Sequence, residues 1–197
     1  MKFLATSLLS LVTGVGVGTL IQDKPAAGAQ DKKPAAQEMD AVAVQAGPEH
    51  KKLEKMVGTW DGAITFYMGG QAMTSKAVET NTLVMNGLWL LSDFKGEFMG
   101  QPFHGHGIFG YDPVKKKHVS VWVDSMSSSF TTGEGEGSKD GKTMVDTMVG
   151  YDPSGKKSVM RNVTTIQDAD HRTFEMYNIA DDGKEALAMK IEYTRRK

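Results

Sequence analysis

From Gly58 onward the chain alternates apolar and polar positions with a period of two. In TWDGAITFYM, Trp60, Ile64 and Phe66 fall on one parity, with Asp61 and Thr65 on the other. Such alternation, rich in Val, Thr and aromatic residues, predicts half-buried strands. Strands are predicted near 59–68, 72–85, 88–99, 102–111, 117–125, 128–138, 142–150, 157–167, 171–180 and 185–195. The separators are tight-turn residues: Gly69-Gly70, Asn86-Gly87, Gly100-Gln101, Asp112-Pro113, Asp140-Gly141, Asp152-Pro153, Asp168 to Asp170, and Asp182-Gly183. Tight turns join antiparallel neighbours, whereas a parallel sheet needs crossover helices for which there is no room. A meander of about ten strands removes its exposed edges by closing. The fold class expected is therefore all-β, a closed or nearly closed antiparallel barrel of about ten strands, a size that can leave a cavity for one small ligand. One short helix precedes it, PEHKKLEKM at 48–56. Pro48 suits a first helical turn, Glu49 complements the dipole, and Gly58 ends the segment.

Upstream the pattern changes. Lys2 is followed by an uncharged run from Phe3 to Ile21, and Ala27-Gly28-Ala29 is a small-x-small site. This reads as a signal peptide over 1–29, with an uncleaved membrane anchor as the alternative. The expected location is periplasmic or secreted, with membrane contact only if the segment is retained. Residues 30–47 lack aromatic residues and read as a disordered linker. Residues 48–197 remain, roughly 150 residues, which suits one domain with one core.

Charge and composition narrow the chemistry. The formal net charge of −1 offers no basic face for nucleic acid. The chain has no cysteine, so disulfides, thiolate metal sites and a cysteine nucleophile are excluded.

Two motifs in FHGHGIFGYDPVKKK invite a function. Gly105, Gly107 and Gly110 spell the dinucleotide fingerprint, but that motif needs a following helix to hold the pyrophosphate. Asp112-Pro113 and a β-rich segment follow instead, so the nucleotide reading is rejected. The glycines are expected to let a strand bend. GSKDGKT at 137–143 is one residue short of a P-loop and also precedes a strand. His104 and His106 share a strand face and are weak metal candidates. They need a third ligand, with Glu134, Glu136 or Asp124 as candidates. His50 and His118 read as surface or turn residues, and His171 as a hairpin tip. No nucleophile-elbow, zincin or Cys-His motif is present.

A short echo runs through the domain: FGYDPVKKKHVSV at 109–121 and VGYDPSGKKSVMR at 149–161. In both, Gly-Tyr ends a strand and Asp-Pro turns the chain. The stretches LEKMVGTWDG (53–62), GHGIFGYDPVKKKHVSVWVDSMS (105–127), DHRTFEMYN (170–178) and the closing MKIEYTRRK resemble a bacterial family, domain-of-unknown-function family 1579. The resemblance spans residues 48–197. It implies a lipocalin-like, fatty-acid-binding-protein-like (calycin) barrel without an assigned activity. Gly58-Thr59-Trp60 is similar to the G-x-W start of lipocalins, where the tryptophan plugs one barrel end, and to the start of nitrobindin-type haem barrels. No position matches the haem ligand of that family, and no cofactor is implied.

Three functions follow. The first is non-catalytic binding of a small apolar molecule or lipid. Trp60, Ile64, Phe66, Trp122, Asp124 and Arg161 would line the cavity, the last two orienting a polar head if they point inward. Among 13 methionines, those in strands suit either an adaptable pocket or loose core filling. The second is an isomerase or hydrolase using Asp124 as base. The third is an interaction module with a filled barrel.

Overall fold

The computed structural model describes residues 44–152 and 154–197. The predicted signal peptide and the predicted linker before residue 44 lie outside the described residues. The predicted helix is one α-helical turn, α1 (Pro48–Lys51), continued as a 3-10 turn, Lys52–Met56. Ten strands follow: β1 (Gly58–Met68), β2 (Gln71–Val84), β3 (Trp89–Phe98), β4 (Gln101–Asp112), β5 (Lys117–Asp124), β6 (Thr131–Gly137), β7 (Thr143–Tyr151), β8 (Lys157–Ile166), β9 (His171–Ile179) and β10 (Glu185–Arg195). Each pairs antiparallel with the next, and β10 pairs back onto β1, with Ile191 opposite Ile64. The result is a closed up-and-down barrel with no free sheet edge.

The turns explain the register. Asn86 and Gly87 both adopt positive φ (58° and 80°), the geometry that suits the twist of paired strands. Between β3 and β4 the turn residues are Met99 and Gly100, one position earlier than expected, with Met99 at φ 52°. β6 begins at Thr131, because Ser127 and Ser129 bond each other through backbone and hydroxyl at 3.1 Å and hold the chain in a loop. The Asp-Pro echo is one device used at opposite barrel ends. Asp112 accepts from the Val114 and Lys115 amides, and Asp152 accepts from those of Ser154 and Lys156.

One barrel end is plugged by the helical segment. Leu53 is fully buried and packs with Met56 and Leu90 at the core of that end. A second cluster joins Trp60, Ile64, Ala77, Phe94, Ile191 and Tyr193. No helix among the described residues covers the opposite end, which is formed by the end of β1, the start of β2 and their counterparts round the barrel.

The glycines of the G-x-G-x-x-G stretch make room for neighbouring rings. A Cβ at Gly105 would run into the Trp122 ring, one at Gly107 into Phe109, and one at Gly110 into Trp89. They are absent side chains that let large aromatic rings lie flat on the strand.

Candidate functional site

The interior is built from strand parity. Trp60, Gly62, Ile64 and Phe66 point inward from β1, and the same alternation around the barrel makes one continuous inner surface. At the plugged end this surface carries polar groups, and Trp60, Asn81 and Arg195 donate to carbonyls of residues 55–57. The Trp60 indole donates to the Met56 carbonyl at 2.9 Å. Asn81 donates to the same carbonyl at 3.0 Å and to Glu79 at 2.7 Å. The Arg172 Nη2 lies 3.0 Å from Glu79 Oε1, and its guanidinium stacks 3.7 Å from the centre of the Tyr193 ring. Arg195 lies over Trp60 at 4.1 Å and donates to the carbonyls of Val57 and Lys55. Burial first, and the Glu79 charge second, push the Tyr193 hydroxyl well above its ordinary range.

Midway along the barrel sits a second polar group. Asp146 and Asn162 are direct partners across β7 and β8, and Asn162 Nδ2 donates to Asp146 at 3.3 Å. Burial pushes the Asp146 carboxyl up to about 6, against the opposing pull of that hydrogen bond. The buried Asn162 Oδ1 has no hydrogen-bond partner among the described residues. Ser120 donates to the Met148 thioether at 3.2 Å, and Gly133 between them leaves room that a Cβ would fill. A cavity of about 10 Å³ separates Asp146, Ser120 and His118 from Leu53 of the plug. That is room for about one water molecule. A second, also about 10 Å³, lies between His118, Met144 and Ile166. The plugged half is thus filled.

The other half is lined by aromatic and methionine side chains. Phe66, Phe103, Trp122, Met160, Phe174 and Met189 point inward, yet all are only half-buried. Phe66 meets Phe98 edge to face at 4.9 Å, and Phe94 meets Phe103 and Trp122 in the same manner.

Of the residues expected from sequence, Trp60, Ile64, Phe66 and Trp122 come together inside the barrel. Trp60 is a plug residue, fully buried. Asp124 ends β5 at the open rim and accepts from the Trp122 indole at 3.0 Å and the Met126 amide at 2.9 Å. Arg161 does not point inward. It lies on the outer face, paired bidentately with Glu185 and stacked 4.2 Å from the Tyr177 ring centre. Its neighbours of the same parity, Val159 and Val163, are also on the outer face, so an apolar outer stripe disguised the strand's orientation.

The histidines also divide differently. His50 and His118 are buried, not surface residues. Tyr111 lies edge-on to both, at 5.7 and 5.3 Å. Burial holds His118 below the usual histidine range, although Glu49 lies 3.6 Å away. His171 is exposed at a hairpin tip beside Asp168, as expected. His104 and His106 are on the outer face of β4, and their carboxylate neighbour is Asp93 of β3. Glu134, a proposed third ligand, is paired with Lys115 instead.

Sequence reasoning missed Asp146, Asn162 and Arg172. The signal was parity: Asp146 alternates with Met144 and Met148, and Asn162 with Met160, so each polar residue occupies a slot in an inward apolar row.

These features define a closed ten-stranded antiparallel barrel whose polar groups are gathered under a helical plug and at mid-height. The chain belongs to the family described as protein of unknown function (DUF1579), whose model matches residues 45–195. No curated protein sequence matches the chain. Among solved structures it is similar to Rv2717c from M. tuberculosis, with a TM-score of 0.61 and 14% identity over 78% of this chain and all of that one. It is also similar to a redesigned β-barrel, with a TM-score of 0.42 and 14% identity over 74% of this chain and 96% of that one. The first likeness shows the fold alone.

Proposed function

We propose that the open half of the barrel binds one small, mostly apolar molecule carrying a hydrogen-bonding head. The observation that carries this reading is the half-buried state of inward side chains such as Phe66, Trp122, Phe174 and Met189. Side chains that face a barrel interior and still meet solvent mark space that an apolar molecule gains by filling. Methionines at 160, 176 and 189 give that surface adaptable walls. The head would meet Asn162 Oδ1, a buried acceptor that lacks a donor, beside Asp146. A head that donates, such as a hydroxyl or amide, fits better than a carboxylate, which an ionised Asp146 would repel.

The test is native mass spectrometry of the chain purified from its own host, followed by extraction and titration with long-chain alcohols and amides. A stoichiometric apolar adduct, or a saturable change in tryptophan fluorescence that is lost in Trp122→Phe, supports the reading. A bare mass with no saturable change across the series overturns it in favour of an interaction module with a filled barrel.

A second reading has its own observation. Asp146 is an inward, largely enclosed carboxyl whose affinity for protons is raised by burial, the property a general base near neutral pH requires. If a bound molecule is turned over, Asp146→Asn should stop turnover and leave binding intact. Equal turnover by the variant would remove this reading.

A further inference from the structure

We propose that Asp93, His104 and His106 form a binding site for a divalent transition-metal ion on the outer wall of the barrel. His104 and His106 stand two apart on β4 and so project from the same face. Asp93 of β3 is the direct cross-strand partner of His106. One donor atom from each residue lies within 4.8 Å of the other two. Asp93 Oδ1 is 2.6 Å from His104 Nε2 and 3.7 Å from His106 Nδ1. The two imidazole rings are 4.5 Å apart and tilted by 58°, so they converge without stacking flat.

The backbone beneath this group is held on both sides. β4 pairs along its length with β3 and β5, and the inward positions on either side of His106 are Gly105 and Gly107, against which Trp122 and Phe109 pack. Binding therefore needs only side-chain rotation. Metal–nitrogen and metal–oxygen distances of about 2.0–2.2 Å put donors roughly 3–3.5 Å apart in a tetrahedral site. The present separations bracket that range. Two imidazoles and one carboxylate favour zinc, copper or nickel over magnesium or calcium, which take oxygen donors. The side chains of Asp93, His104 and His106 are 37%, 46% and 57% exposed, so three protein donors leave a further position for water or an external ligand.

Lys95 opposes the site. Its ammonium lies 2.7 Å from Asp93 Oδ2, leaving Oδ1 for the metal while placing a like charge beside the ion. The competitor makes the proposal sharper, because removing Lys95 should tighten metal binding whereas loss of a purely structural ion pair would not.

The experiment is calorimetric titration of the tag-free full chain with zinc chloride, paired with cobalt(II) absorption spectra. One-to-one binding is expected. His104→Ala, His106→Ala and Asp93→Ala should each weaken it by at least about tenfold, the lower bound set by losses of mere supporting contacts. Lys95→Ala should strengthen it. His171→Ala, which alters an exposed histidine elsewhere, should leave it unchanged. Circular dichroism of each variant checks that the barrel is intact, and His104→Gln serves if the alanine variant is not folded. Binding that does not saturate, or that is indifferent to Asp93 and His104, overturns the proposal. So would binding abolished by His171→Ala.

Discussion

The two ends of this barrel are built on different principles. At the plugged end Trp60, Leu53 and Leu90 are at most 1% exposed, and a buried Arg172–Glu79 contact is clamped between aromatic rings and the helical segment. At the open end inward phenylalanines and methionines are half-buried and no ion pair lies inside among the described residues. Stability is therefore expected to concentrate where the chain closes over itself. Arg172→Met is the strongest way to break that contrast. It leaves the Glu79 charge buried beside Asn81 without its partner, which costs about 3–5 kcal/mol. Urea unfolding measures this, and a loss under about 1 kcal/mol would mean that the plugged end does not carry the stability assigned to it.

A matched pair of truncations tests the same asymmetry through packing. Leu53→Ala removes a fully buried side chain and should cost about 2–5 kcal/mol. Met176→Ala removes a half-buried one lining the open end, and roughly 1 kcal/mol is expected from its smaller buried area. Equal costs would show that the open half is as tightly built as the plugged half.

Between the two ends, Asp146 titrates in a way that reports its burial. Its folded-state pKa, about 6, lies above the ordinary 3.8. The folded protein therefore holds this proton more tightly than the unfolded chain. Stability from the group is fully present below pH near 4 and is lost as pH rises through 6, a change of about 3 kcal/mol. Asp146→Asn keeps an acceptor for Asn162 and removes the charge. It should be near neutral at pH 4 and stabilising by up to about 3 kcal/mol at pH 8. Denaturation midpoints across that range decide it, and a difference independent of pH would show that burial does not raise this carboxyl.

Most of the architecture could be read from alternation and turn residues, because period two and tight turns are local properties. Parity alone put Trp60, Ile64, Phe66 and Trp122 on one inner surface. What local pattern could not supply was register. A turn at Gly100-Gln101 sets Lys95 opposite His106, whereas the actual turn at Met99-Gly100 sets Asp93 there. One residue of slip hid the carboxylate beside the two histidines. The buried state of His50 and His118 was equally hidden, since it depends on the helical plug docking across strand ends far away in sequence. The Gly105 and Gly107 side chains are missing for the sake of Trp122 and Phe109, a packing requirement that a motif search reads as chemistry.

Arg161 supplies the smallest effect and a useful control on the comparison of ends. It belongs to β8, whose inner face carries Met160 and Asn162, but its guanidinium is outside on Glu185 and Tyr177. The Glu185 contact holds the carboxylate below its ordinary range, yet the pair is solvent-facing and screened. Arg161→Ala should therefore cost about 0.2–1 kcal/mol, less at high salt, and should leave any apolar ligand bound with unchanged affinity. A variant that weakens ligand binding while hardly altering stability would return Arg161 to the cavity wall and reverse the inside-outside assignment of β8.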